Sequence, residues 1–465
     1  MGRSVWVDHV ASRRFELLSQ VLRAHQLEVK FNEVEESSVV GIRELAGKVS
    51  QFQFEGLSKI MDPSQTAGRY LRVNSKEIEL FYDADSKHRS QVTLSLNSAD
   101  TDSATGAKFE EFSDSFWASV NPGLLHQSEF SIFRSRPRPL EGVRIAIDPG
   151  HLGSGENGYW DLETGKYIEP DPGRKISESA LAQTVSLNLA VKLRELGAQV
   201  LVTRPEDHPA QSNEPTRTDV AAYVVLDFLR SFDSGWFDEY LNKNGDIIGL
   251  EKSPGFLERL GDEALKKAEK GRVSDYFNRD ELSYRAKLIN EFGADFSIGV
   301  HFDAYDSKLF QTVSDSVRGY VAGNVSPRSF VTAQQRISVL RNWLSPAQWY
   351  GSVMLTRELV RGISAAAGVP IRTSETDFGA IRVEDGVYAR DLRLNREIKV
   401  GYFASLEVLN YDFPDEFNAL FDPHWTSGAL MQSRRIDEIV NGLVEGLLRA
   451  SFQKISAQKV AKNGL

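Results

Sequence analysis

The sequence predicts an α/β protein, a mixed and largely parallel sheet flanked by helices, preceded by an N-terminal α+β accessory domain. Three segments carry that prediction. Val143-Arg144-Ile145-Ala146-Ile147 reads as a buried strand and leads into Asp148-Pro149-Gly150-His151. The run from Ala294 to Val300 reads the same way and ends on His301, and Val400 to Leu406 ends on Glu407. Runs this apolar, without strict alternation, suit strands covered on both faces. Each ends on a side chain suited to metal binding or proton transfer. In sheets with parallel strands ligands collect beyond the carboxyl ends, so these three residues are expected to converge on one site.

Taken in order, residues 1–138 are expected to form the accessory domain. Phe15 to Leu22 is helix-like, Arg69 to Val73 and Glu77 to Tyr82 are strand-like, and Asn97 to Gly106 is a polar loop. Ser135-Arg136-Pro137-Arg138-Pro139 reads as a stiff, extended linker because of its alternating prolines, which places the boundary there. Residues 139–465 then form the catalytic domain. After His151 a Gly-rich loop leads to a helix with an apolar stripe of Leu181, Val185, Leu189, Leu193 and Leu196, with Ser177 as N-cap and Gly197 as C-cap. Gln199 to Val202 follows as a strand. Strand, helix and strand in this order predict a βαβ unit and so a parallel pair. Residues 206–280, which contain Trp236, Phe237 and Tyr240, interrupt the rhythm and read as an insertion. The pattern resumes at Leu282, becomes irregular again from His301 to about residue 345, and closes with an amphipathic helix around Ile436, Ile439, Val440, Leu443, Leu447 and Leu448.

Composition narrows the function classes. A chain of 465 residues suggests two or three domains, or one with large insertions. Hydrophobic residues at 41% and charged residues at 26% suit a folded chain. A net charge of -10 without basic runs argues against nucleic acid or an anionic membrane as partner. The sequence has 0 cysteines, so disulfides, thiolate catalysis and cysteine-ligated zinc are excluded. No apolar run of about eighteen residues is present, so no transmembrane segment is expected, and no secretion signal is visible.

With cysteine absent, His, Asp and Glu are the strong metal ligands at hand. A catalytic zinc takes three protein ligands and keeps one position open. His151 and His301 supply two nitrogens. The best third ligand is Glu178, in the first turn of the helix after the His151 loop; Glu156, Glu163 and Glu169 are weaker because nothing fixes them. Glu407 would be the adjacent carboxylate that moves protons, and the implied chemistry is hydrolysis of an amide or ester. Taken singly, each residue has a plainer reading. A strand-end histidine is more often a satisfied polar residue, Glu178 can simply counter a helix dipole, and Glu407 can be a rim carboxylate paired with Arg390, Arg393 or Arg396. Asn242, Asn244 and Asp246 hint at a calcium loop, but with Gly245 misplaced the expected reading is an ordinary turn.

These motifs in order resemble the zinc-dependent N-acetylmuramoyl-L-alanine amidases of bacterial cell-wall remodelling. Ile145 to His151 resembles the family's opening strand and first zinc histidine, and Glu178 with Leu181 its zinc glutamate at a helix start. Val200-Leu201-Val202-Thr203-Arg204 with Asp207 resembles the next strand and its Thr-Arg ending. Leu282, Arg285 and Asn290, leading into Ala294-Asp295 and His301, resemble the helix and strand that carry the second zinc histidine. Glu407 followed by Asn410 resembles the late catalytic glutamate. The resemblance spans roughly residues 142–450 without the insertion. Phe302-Asp303-Ala304 and Val408-Leu409 depart from the family's pattern, where small residues follow the second histidine and Gly-Phe follows the glutamate.

What the resemblance implies is a zinc amidase fold with Zn2+ on His151, Glu178 and His301 and with Glu407 catalytic. It also implies cleavage of the amide between N-acetylmuramic acid and L-alanine in peptidoglycan, a periplasmic or extracellular location, and a possible protein activator or regulator. A zinc peptidase or deacetylase, and a catalytically silent wall-binding or regulatory protein, are the alternatives. The 206–280 insertion would be a lid over the cleft or a surface elaboration.

Overall fold

The computed structural model describes residues 36–49, 51–64, 70–74, 77–81, 90–96, 127–151, 167–168, 176–205, 281–303, 315–326, 333–377, 379–411, 413–420 and 433–463. Contacts divide the chain into two compact units, Met1–Val34 with Pro209–Tyr284 and Glu35–His208 with Arg285–Leu465. The described residues belong to the second, apart from 281–284. The helix expected at Phe15 to Leu22, the loop at 97–106, the insertion at 206–280 with its calcium-like turn, and Glu156, Glu163 and Glu169 lie outside the described residues.

In chain order, the first elements are α1 (Glu36–Ala46), α2 (Gln51–Met61), β1 (Leu71–Val73), β2 (Glu77–Phe81), β3 (Ser90–Ser95) and α3 (Gln127–Arg134). Next come β4 (Arg144–Pro149), β5 (Tyr167–Ile168), β6 (Ile176–Ser177), α4 (Glu178–Glu195), β7 (Gln199–Val202), α5 (Leu282–Phe292), β8 (Phe296–Asp303) and β9 (Arg318–Ala322). The chain continues through α6 (Ala333–Trp343), α7 (Pro346–Ala367), β10 (Thr376–Asp377), β11 (Ala380–Glu384), β12 (Val387–Arg390), α8 (Arg393–Glu397), β13 (Tyr402–Asn410), α9 (Pro414–Leu420) and α10 (Arg434–Asn463).

Eight strands form one sheet in the order β10-β11-β12-β9-β13-β8-β4-β7. The pairs β13/β8, β8/β4, β4/β7 and β12/β9 are parallel, whereas β9/β13, β11/β12 and β10/β11 are antiparallel. The fold is the mixed, largely parallel α/β sheet that the sequence predicts. Ile145, Ile147, Ile298, Val300, Leu406 and Val408 are fully buried, which explains why their strands read as apolar runs. Each such side chain contributes about 1.5–3 kcal/mol by leaving water.

Helices α4, α7 and α10 share one hydrophobic core with the sheet. In α4 the stripe Leu181, Val185, Leu189 and Leu193 is fully buried, and Gly197 ends the helix at φ 97° with Ala198 N–H donating to Leu193 O at 3.0 Å. Helices α7 and α10 approach backbone to backbone. A methyl group on Gly442 would lie 2.6 Å from Gly362 O, and one on Gly446 would lie 2.6 Å from Glu358 O. Only glycine permits that crossing.

Strands β1, β2 and β3 form a separate antiparallel sheet. Phe54 of α2 meets the ring of Trp343 at 5.6 Å, and Val325 N–H donates to Met61 O at 2.7 Å. Phe130 and Phe133 of α3 pack against Phe452. Two expectations are corrected. Residues 135–140 are a series of turns, not an extended linker: Arg136 N–H donates to Phe133 O, Glu141 N–H to Arg138 O, and buried Leu140 ties back to Leu196 O. The stretch read as irregular from His301 to residue 345 contains β9 and α6. Strand β9, Arg-Gly-Tyr-Val-Ala, carries a glycine and a buried arginine, so neither an apolar run nor an alternation marks it.

Candidate metal centre

Strands β13, β8 and β4 are neighbours and run parallel, so their carboxyl ends lie side by side. His151 follows the end of β4, His301 lies near the end of β8, and Glu407 pairs directly with His301 in the β13/β8 register. Helix α4 begins at Glu178, which brings its carboxylate back over the same ends. The structure brings together His151, Glu178 and His301, each offering one ligand atom, with all three atoms within 4.8 Å of one another. His151 Nε2 is 2.8 Å and His301 Nδ1 is 3.5 Å from Glu178 Oε1. The two rings meet edge to face, 5.3 Å between centroids.

Several local features fix this geometry. Glu178 Oε1 also accepts the backbone N–H of Phe302 at 3.0 Å. Gly150 is wedged against β8: its N–H donates to Val300 O at 2.9 Å, and a methyl group there would lie 2.5 Å from His301 Nδ1. His151 itself adopts φ 62°, the left-handed region, which costs a non-glycine residue about 1–2 kcal/mol. Two fully buried arginines hold the surrounding carbonyls. Arg285 donates to Pro149 O at 2.9 Å and to His151 O at 2.6 Å, while Arg204 donates to Gly150 O at 3.1 Å and Ser179 O at 3.2 Å. Asp148, also buried, accepts from the Thr203 hydroxyl and lies 3.5 Å from Arg285.

The electrostatics follow from burial and from these neighbours. Burial alone would raise the Glu178 carboxyl, but the His151 and His301 rings outweigh it and hold the group well below the ordinary carboxylate range. Burial disfavours a charged His301, yet Glu178, Glu407 and Asp148 raise its pKa overall. Glu407 is pushed up to about 8, chiefly by burial and then by the charge of Glu178, with His301 and Arg318 pulling the other way. Its Oε2 is buried without a hydrogen-bonding partner among the described residues.

Of the arginines the sequence offered for Glu407, Arg390 lies over the Tyr320 ring, Arg393 pairs with Glu397 and Arg396 with Asp391. The guanidinium opposite Glu407 is that of Arg318, its antiparallel partner on β9. Arg318 is buried, paired with Asp303 and with Asp377 at 2.5 Å, and bonded to Tyr320 Oη at 2.9 Å. Sequence reasoning missed this residue because β9 itself was not legible. The one available signal was Asp303, an acid just beyond His301 in a stretch where the family resemblance leads to small residues.

Two imidazoles and a carboxylate are a donor set that zinc takes, and four-coordinate zinc with bonds of about 2.0–2.1 Å sets its ligand atoms roughly 3.3 Å apart; here two separations are 2.8 and 3.5 Å and all three atoms lie within 4.8 Å of one another. Two imidazoles and one carboxylate leave a fourth position for a substrate or water.

Fold and site together define an α/β protein with a candidate two-histidine, one-glutamate centre at the strand ends and the half-buried Glu407 carboxylate beside it. No family model and no curated protein sequence matches the chain. Among solved structures, the chain is similar to the apo form of the N-acetylmuramyl-L-alanine amidase Ami1 from Mycobacterium abscessus, at 12% identity and a TM-score of 0.34, covering 67% of this chain and 100% of that one. It is also similar to the catalytic domain of CwlV, an N-acetylmuramoyl-L-alanine amidase from Bacillus (Paenibacillus) polymyxa var. colistinus, at 12% identity and 0.35, covering 67% and 98%. A third is the CwlD amidase from Clostridioides difficile, solved with the GerS lipoprotein, at 12% identity and 0.35, covering 67% and 98%.

Proposed function

We propose that this chain is a zinc-dependent amidase that hydrolyses the bond between N-acetylmuramic acid and L-alanine in peptidoglycan. The observation that carries the reading is the convergence of His151, Glu178 and His301 within 4.8 Å beside Glu407, whose Oε2 is buried. The choice of bond comes from the ordered motif resemblance along residues 142–450. In this reading residues 1–138 are an accessory domain and 139–465 the catalytic domain, and the site of action is the cell envelope outside the cytoplasmic membrane. Among the described residues no helix is long and apolar enough to cross a membrane.

His151 Nε2, Glu178 and His301 Nδ1 would hold the ion. When bound there, zinc supplies Lewis acidity, polarising an amide carbonyl and lowering the pKa of water toward about 7. The other work falls to this chain's residues. Glu407 takes a proton from the attacking water and returns it to the leaving nitrogen, so that one water is consumed, the C–N bond breaks, and a lactyl carboxylate and a free L-alanine amine result. A carboxyl raised to about 8 by its surroundings is suited to exchange protons near neutral pH, and a nearby cation would draw it down toward the base form. Phe302 N–H fixes the Glu178 carboxylate, and Arg318 opposes the repulsion that Glu407 meets from Glu178 and Asp303.

The test is mass spectrometry of products released from purified peptidoglycan by the protein as isolated, after chelation, and after zinc is restored. Stem peptides beginning with L-alanine, lost on chelation and regained with zinc, are expected. Products cut elsewhere would move the function to a zinc peptidase or deacetylase. No product under any condition, with zinc bound, would indicate a wall-binding or regulatory protein.

A further inference from the structure

The geometry points to Arg204 and Arg285 as positioning residues, a two-arginine clamp that holds the backbone of His151 and the start of α4 in the geometry that presents His151 and Glu178 to one metal ion. The inference rests on the metal-centre reading above and assigns a role to two residues that touch neither metal nor substrate.

Its basis is a set of carbonyls at the turn after β4 that accept from arginine side chains. The β4/β8 register ends at Pro149, and beyond it the chain turns into the left-handed conformation of His151. Three successive carbonyls there, those of Pro149, Gly150 and His151, accept from guanidinium groups: the first and third from Arg285, the second from Arg204. Arg204 uses the same Nη2 to reach Ser179 O, one residue after Glu178. One planar group therefore ties the loop that carries the first candidate ligand to the helix that carries the second. Buried polar groups must be paired, so carbonyls at this turn that lost these donors would have to move toward another partner, taking His151 with them.

The placement of the arginines is itself built. Arg204 follows β7, whose parallel ladder on β4 is extended by Thr203 N–H donating to Ile147 O at 3.0 Å. Arg285 lies on α5 and is oriented by Asp148, which is fixed in turn by the Thr203 hydroxyl. Strands β4 and β7, helix α5 and helix α4 thus meet through two side chains. Lysine could keep the charge but not the fork by which Arg285 reaches two carbonyls with Nη1 and Nη2, nor the planar guanidinium of Arg204.

The experiment is a zinc titration against a competing chelator on the metal-stripped full chain, carried out for wild type, Arg204→Lys, Arg285→Lys and Thr203→Val, with the melting temperature of each metal-free protein measured alongside. Each lysine variant is expected to bind zinc 10–100-fold more weakly at a temperature where it is fully folded. Thr203→Val, which keeps core volume and both arginines but removes the hydroxyl that fixes Asp148, is expected to lose roughly 3- to 10-fold. A purely structural role would lower melting temperature and leave the affinity of the folded protein alone. Wild-type zinc affinity in Thr203→Val and in every lysine variant that folds overturns the clamp while leaving the metal centre standing. Failure of the wild-type chain to bind zinc overturns the metal centre itself, and the clamp with it.

Discussion

Replacing Gly150 by alanine is expected to cripple the metal centre through a single methyl group. The new Cβ would lie 2.5 Å from His301 Nδ1, 2.6 Å from Cε1 of the same ring and 2.9 Å from Val300 O. Non-bonded heavy atoms pack at about 3.5 Å, so the ring must retreat by roughly 1 Å. The backbone of β8 cannot yield instead, because Val300 O is already engaged by Gly150 N–H at 2.9 Å. No torsional penalty accompanies the change, since Gly150 does not adopt a positive φ. Metal and catalytic groups tolerate about 0.5 Å of displacement, and a 1 Å misplacement costs on the order of 100-fold in rate. Zinc affinity should fall about 10–100-fold, with a stability loss of about 1–3 kcal/mol from overpacking. Chelator competition, a peptidoglycan-release assay and thermal melting read the three effects separately. Wild-type zinc affinity and turnover in Gly150→Ala would refute the reasoning, because His301 Nδ1 could not then lie where the ligand position requires it.

Other expectations follow from the same structure. Glu407→Gln should retain zinc but lose about 100- to 10,000-fold in turnover, measured by steady-state product release, since it removes the proton carrier and leaves the three candidate ligands in place. Away from the site, buried Glu416 is pushed up to about 7 by burial and by its neighbour Asp315, although Arg435 bonds to it at 2.7 Å. A folded pKa above the unfolded value means a contribution to stability that is full below about pH 4.5 and is lost as pH rises through 7. Asp315→Asn keeps an acceptor for Asn410 N–H but removes the second charge, so the decline in melting temperature between pH 5 and 8 should be shallower than in wild type by roughly 2–4 °C. An equal slope in the two proteins would sink that account. Gly362→Ala should destabilise by about 1–3 kcal/mol in denaturant melts without changing zinc affinity, because it forces apart α7 and α10, whose backbones touch.

The sequence by itself determined the strands that end on His151, His301 and Glu407, the stripe of α4 and that of α10, because burial on one face or both leaves a periodic mark in the chain. Gly197 ended α4 for a similarly local reason, the left-handed conformation at a helix end. Polar residues fixed by distant partners leave no such mark. That β13, β8 and β4 are adjacent, and that Glu407 pairs in register with His301, depends on pairing between segments roughly 100 to 150 residues apart. The 2.8 Å approach of His151 to Glu178, the left-handed turn at His151 and the placement of Arg204 and Arg285 on its carbonyls follow from that packing. Strand β9 was invisible because its arginine is neutralised by Asp303 and Asp377, which are brought to it only when the sheet assembles. Local patterns named the residues. Register and packing decided which atoms face one another, and that decides whether a metal can be held.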